Sequence, residues 1–141
     1  MKRYKLIAGL IAWVGLLLCA PLQAQTLKNR NYETQAYVKS DGRITDRNYS
    51  TIGYVKSDGR VTDRNYSTVG YVKDDGRIVD RNYSTVAYIR DDGRVTDRNY
   101  STIGYVKDDG RITDRNYTTI GYGKGMTRTQ LGALFLLNKI F

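Results

Sequence analysis

The chain has no histidine, and among its 141 residues there is one cysteine and one tryptophan. Both fall early, as Trp13 and Cys19, and Glu33 is the only glutamate. Each scarcity excludes something. Without histidine there is no Ser-His or Cys-His pair to activate a nucleophile. Without histidine, and without cysteine beyond Cys19, a transition-metal site has few ligands to draw on. A chain that cannot form an internal disulfide must take its stability from packing and strand pairing.

What is present is mostly one phrase. Gly53-Tyr54-Val55-Lys56-Ser57-Asp58-Gly59-Arg60-Val61-Thr62-Asp63-Arg64-Asn65-Tyr66-Ser67-Thr68-Val69 recurs with small changes every 17 residues across 36–122. A fixed period of this kind is the mark of a repeat architecture. Asp-Gly stands at Asp41, Asp58, Asp75, Asp92 and Asp109. Asp-Arg-Asn-Tyr ends at Tyr49, Tyr66, Tyr83, Tyr100 and Tyr117, with a degenerate copy at Asn29-Arg30-Asn31-Tyr32. A second tyrosine series runs Tyr37, Tyr54, Tyr71, Tyr88, Tyr105 and Tyr122. Five Asp-Gly turns are therefore bracketed by six copies of the Asn-Tyr to Gly-Tyr segment.

Three segments follow from composition. Residues 1–24 carry Lys2, Arg3 and Lys5 before an apolar stretch from Leu6 to Ala20, then Pro21-Leu22-Gln23-Ala24. This is the layout of a secretory signal peptide cut after Ala24. It implies export to the periplasm, the cell surface or the medium. Residues 25–122 hold the repeats, and 123–141 leave them. Without its leader the chain loses three of its 23 basic residues and keeps 20 against 14 acidic ones. Those charges are interleaved, which reads as a solvated surface. A nucleic-acid partner would want clustered Lys and Arg, so none is expected.

Val, Ile, Thr and Tyr dominate the repeat and suit a pleated, half-buried surface. Ser57-Asp58-Gly59 between two such runs marks a hairpin with a three-residue loop and Gly59 in the left-handed region. That register sets Val55 opposite Val61. Strands are expected over Tyr49–Lys56 and Arg60–Arg64, with Arg64-Asn65 as a tighter connection to the next hairpin. Alternation puts Thr51, Gly53, Val55, Val61 and Asp63 on one face, and Ile52, Tyr54 and Thr62 on the other. The position of Gly53 is always small, as Ala36, Gly70, Ala87, Gly104 and Gly121 show. Close approach of neighbouring backbones explains this better than a ligand does.

A lone hairpin is marginal in water, so the units must bury one another. They can close into a ring or advance as an open solenoid. The extra half-unit at each end favours closure, with the strand near Tyr32 beside the strand near Tyr117 and no exposed edge left. The motif Tyr-Val-Lys-x-Asp-Gly-Arg-(Val/Ile)-x-Asp-x-x-Tyr resembles that of the 5-fold β-flower family, exported Bacteroides-type proteins of 17-residue β-hairpin repeats. The resemblance implies an all-β fold of five hairpin petals about a pseudo-fivefold axis. It brings no activity or binding residue with it.

Chemistry is thin. The aspartates form repeated, equivalent sets, whereas a glycosidase pair needs two unlike environments. Doubled Asp74-Asp75, Asp91-Asp92 and Asp108-Asp109 read as turn residues. Calcium would need about six to eight oxygens. The chain is thus expected to be no enzyme and to need no cofactor or metal. The sets Asp63-Arg64-Asn65-Tyr66, Asp80-Arg81-Asn82-Tyr83 and Asp97-Arg98-Asn99-Tyr100 are the binding candidates. As structure they would be ladders of Asp-Arg pairs and tyrosines between petals. As function they would be equal, shallow sites for a glycan or other envelope component, with avidity from number.

The tail begins with the break Gly123-Lys124-Gly125. Thr127 and Gln130 then fit a capping box. Leu131, Ala133, Leu134, Phe135, Leu136, Leu137 and Ile140 make an apolar helix that wants burial and is too short to span a membrane. It either plugs one mouth of the ring or docks on a membrane surface or a partner.

Overall fold

The computed structural model describes residues 25–141; the leader expected over 1–24 lies outside them. Twelve short strands follow one another: β1 (Gln25–Asn29), β2 (Thr34–Val38), β3 (Arg43–Asp46), β4 (Thr51–Val55), β5 (Arg60–Asp63), β6 (Thr68–Val72), β7 (Arg77–Asp80), β8 (Thr85–Ile89), β9 (Arg94–Asp97), β10 (Thr102–Val106), β11 (Arg111–Asp114) and β12 (Thr119–Tyr122). Helix α1 (Arg128–Leu136) closes the chain. Every strand pairs antiparallel with its neighbours, and the sheet is a closed barrel.

Closure occurs where it was expected. β12 pairs with β1, Gly121 opposite Asn29 and Tyr122 opposite Lys28. The count is different. The two end segments do not add an overlapping half to a five-membered ring. They combine into one further unit, so twelve strands make six Asn-Tyr hairpins around the axis. Thr26-Leu27-Lys28-Asn29-Arg30-Asn31-Tyr32 occupies the place that Arg60-Val61-Thr62-Asp63-Arg64-Asn65-Tyr66 has elsewhere. Leu27 is buried as Val61 is.

Both loop types have the same backbone. In the Asp-Gly loop, Lys56 N–H donates to Arg60 O at 2.8 Å and Gly59 N–H to Lys56 O at 2.9 Å. Gly59 has φ 91°, and Asp58 Oδ1 accepts from Arg60 N–H at 3.0 Å. Val55 faces Val61, as the spacing predicts. In the Asn-Tyr loop, Asp63 N–H donates to Ser67 O at 2.9 Å and Tyr66 N–H to Asp63 O at 3.0 Å. Here Tyr66, with φ 69°, holds the left-handed position. The connection is a three-residue loop, not the tighter Arg64-Asn65 turn. The strands are correspondingly shorter than expected, beginning at Thr51 and ending at Asp63.

A register shift between Ile44 and Thr45 sets Thr51 opposite Thr45 and Gly53 opposite Ile44, leaving Ile52 as the extra residue of a bulge. This corrects the simple alternation. Ile52 packs against the core, while Thr51 shares the outer face and accepts from Arg43 Nε at 2.7 Å. Thr62 lies opposite Tyr54 as predicted, yet it is buried and its hydroxyl has no partner.

The interior is filled by the tail. Thr127 caps α1 in a capping box with Gln130. Asn138 (φ 62°) ends the helix, with Asn138 N–H donating to Phe135 O and Lys139 N–H to Leu134 O, the paired bonds of a left-handed C-terminal cap. Leu131, Ala133 and Leu134 belong to the same core cluster as Val38, Val61, Ile78 and Val95. Barrels of about eleven strands have room for a central helix, and this one uses it. Arg128 sits at the Asp-Gly rim, bonding Asp91 and the Asp74 carbonyl. Gly132 lies against Val72, Leu137 over Gly53, Leu136 over Gly70 and Phe141 over Gly104. The small residues are thereby explained. A Cβ at Gly53 would come within 2.5 Å of the Thr62 carbonyl and 3.0 Å of Leu137.

Candidate functional site

The outer face carries six stacked tyrosine pairs. In each, the tyrosine of an Asn-Tyr loop lies on the strand tyrosine of the preceding hairpin: Tyr49 on Tyr37, Tyr66 on Tyr54, Tyr83 on Tyr71, Tyr100 on Tyr88, Tyr117 on Tyr105 and Tyr32 on Tyr122. Centroids are 4.4 Å apart in the closest pair and 4.9 Å in the widest. The hydroxyls meet as well, Tyr66 to Tyr54 at 3.1 Å and Tyr83 to Tyr71 at 3.1 Å. The left-handed φ aims this side chain back at the neighbouring hairpin. That conformation costs roughly 1–2 kcal/mol in a residue with a Cβ. An aromatic pair is worth about 0.5–1.5 kcal/mol beyond the area it buries, so the stack roughly offsets the strain.

The hydrogen bond from the partner tyrosine raises the pKa of Tyr54, Tyr71, Tyr88, Tyr105 and Tyr122 above the usual 10.0, with partial burial adding to it. Tyr49 is raised in the same way by Tyr37. Cations rest over several outer rings: Lys73 lies 5.7 Å from the Tyr83 centroid, Arg90 5.7 Å from Tyr100 and Lys107 5.5 Å from Tyr117.

The predicted Asp-Arg-Asn-Tyr sets are brought to one rim but not into Asp-Arg pairs. Asp63 Oδ1 accepts from the backbone N–H of Asn65 at 2.8 Å and Ser67 at 3.0 Å, and Asp80 and Asp97 repeat the pattern. These carboxylates shape their own loops. Among the described residues the ion pair found is Arg128–Asp91. Arg64, Arg81 and Arg98 stand exposed beside Asn65, Asn82 and Asn99. Tyr66, Tyr83 and Tyr100 remain 60, 61 and 56% exposed even while stacked. Each set thus offers a tyrosine face, a guanidinium and an amide. The doubled aspartates are turn residues, with Asp75 Oδ1 accepting from Arg77 N–H at 3.0 Å. Among the described residues no three potential metal ligands cluster.

A family model described as a 5-fold beta-flower protein matches residues 24–138. The chain belongs to that family. No curated protein and no solved structure matches it. Among its described residues this beta-flower chain is all-β with one short C-terminal helix, and its ring closes with twelve strands rather than ten.

Spacing alone did not reveal where the beta-flower is asymmetric. At the seam between β12 and β1, a groove of about 520 Å³ is lined by Gln25, Thr26, Lys28, Tyr32, Asp109, Arg111, Tyr122 and Lys124. Its counterpart at Tyr88 and Tyr100 is about 290 Å³. The available signal was Lys28, which stands where the other units have threonine or valine.

Proposed function

We propose that the chain is an exported, non-enzymatic structural or binding module of the cell envelope, and that it binds glycan or surface polymer through its repeated Asn-Tyr rim. The observation that carries this reading is the ring of six stacked tyrosine pairs, each with its loop tyrosine exposed beside a guanidinium and an amide. Aromatic faces take the C–H faces of sugars, and side-chain amides and guanidinium groups bond hydroxyls. Six weak sites that share a tyrosine face, a guanidinium and an amide give avidity toward a repeating polymer. The leader over 1–24 supports export. The lack of histidine, and aspartates that serve equivalent turns, argue against catalysis.

A glycan array probed with the full chain tests the reading. Binding to polymeric saccharides that falls steeply for monomers is expected, and so is a progressive loss as Arg64, Arg81 and Arg98 are changed to Ala. No saccharide binding at all would overturn it.

Docking through the apolar tail is the rival reading. Leu131, Ala133 and Leu134 are fully engaged in the barrel core, so that role would require the tail to leave the barrel.

A further inference from the structure

The six tyrosine grooves are not equal in charge. At the seam, Lys28 replaces the Thr45, Thr62, Thr96 and Thr113 of other units and projects opposite Tyr122. The chain does not complete an Asp-Gly turn after β12, so Lys124 also borders the groove. Three cations, Lys28, Arg111 and Lys124, therefore face one carboxylate, Asp109. Asp109 is partly occupied, since its Oδ1 accepts from Arg111 N–H at 3.0 Å. The groove at Tyr88 and Tyr100 has Arg90 beside two carboxylates, Asp75 and Asp91, with Arg77 opposite Tyr88 and Asp91 paired to Arg128, and it lacks the two lysines of the seam.

Arg111 is also held differently. In Arg43, Arg60 and Arg94 the Nε donates to a cross-strand threonine at 2.7, 2.9 and 2.8 Å. Arg111 reaches Thr119 only through Nη1, at 3.4 Å, and its Nε is buried without a partner. Arg77 shares that orphaned Nε but not the surrounding lysines. Beside this cationic cluster lies Tyr32, 63% exposed, stacked on Tyr122 at 4.4 Å.

We propose that the seam groove is a single, tighter site for an acidic saccharide, which lays its ring on Tyr32 and its carboxylate among Lys28, Arg111 and Lys124. This rests on the saccharide-binding reading of the rim and adds to it one site of distinct chemistry. Charge-assisted bonds are stronger than neutral ones, so a uronic acid unit gains at the seam what it cannot gain at the groove beside Asp75 and Asp91.

Calorimetric titration of the full chain with tri-galacturonate and with uncharged galactotriose tests it. One tight site per chain is expected for the acid, against several weaker ones for the neutral sugar. Lys28→Thr installs the residue of the other units and should leave the thermal melt unchanged. It should weaken the acid about tenfold and spare the neutral sugar, and Lys124→Ser should act in the same direction. Equal affinity of Lys28→Thr and wild type for tri-galacturonate would overturn the seam site while leaving the rim reading intact. Competition by inorganic phosphate as strong as by the uronate would reduce the seam to a plain anion site and overturn saccharide recognition there. Binding of neither sugar would remove the rim reading itself.

Discussion

The two rims of the barrel use the same three-residue loop and the same hydrogen bonds, but they fill the left-handed position differently. At one rim that residue is Gly59 and its equivalents, with no side chain. At the other it is Tyr66 and its equivalents. The difference lies in what stands next to the loop. A Cβ at Gly59 would lie 2.1 Å from the Val72 carbonyl, so that site accepts only glycine. At the Asn-Tyr rim the space is open, and the strained conformation turns an aromatic ring onto the neighbouring hairpin. One rim is shaped by exclusion, the other by an attraction strong enough to hold strain.

Removing residues 127–141 should have the largest effect, because it empties the space that both rims enclose. Leu131 and Leu134 are buried, and a fully buried leucine is worth about 1.5–3 kcal/mol. The truncated chain should melt well below the intact one and bind a hydrophobic dye. An unchanged melt would show that the barrel stands without its tail.

Gly59→Val meets both the positive φ and the Val72 carbonyl, and a loss of about 2–3 kcal/mol is expected in denaturant unfolding. An unchanged midpoint would mean that the loop readily takes another form. At the other rim, Tyr66→Ala keeps the strain and loses the stack, for a loss of about 1–2 kcal/mol. Tyr66→Gly relieves the strain as well and should be more stable than Tyr66→Ala by about 1 kcal/mol. If the two variants melt alike, strain and stacking are not in balance.

Thr62→Val should be neutral or stabilising by up to about 1 kcal/mol. Thr62 buries a hydroxyl without a partner, and the chain already carries Val79 at the equivalent place. Destabilisation in thermal unfolding would reveal a hidden partner for the hydroxyl.

The smallest effect is expected in alkali. The strand tyrosines have raised values in the folded chain because each shares a hydrogen bond with its partner. That contribution is complete below the ordinary value of 10.0 and is lost as pH rises through the folded value. Absorbance titration of the phenolates should show a late-titrating class, and Tyr66→Phe should return Tyr54 toward normal. A single class at the ordinary value would break the pairing.

Much of this was legible in the chain. The 17-residue period, the Asp-Gly loop, the pairing of Val55 with Val61 and the capping box at Thr127 all rest on local chemistry, which a short window of residues expresses in full. Closure was legible too, because matching ends leave no other partner for the edge strands. The six-membered count was written in the six tyrosines of each series, but Leu27 and Lys28 obscured the first copy. Whether two incomplete segments overlap or combine depends on strands about a hundred residues apart, and no local signal reports that.

By itself the sequence determined the unit, its hairpin and the scarcity of histidine and cysteine, because these follow from residue type and spacing. Only the tertiary structure decided that Asp63 serves its own loop rather than Arg64, that Tyr66 takes a left-handed backbone, and that the apolar tail lies inside the barrel. It alone gathered Lys28, Arg111 and Lys124 around one tyrosine pair. Each of these outcomes depends on what a distant segment places beside the residue, and long-range packing, not local preference, sets that neighbour.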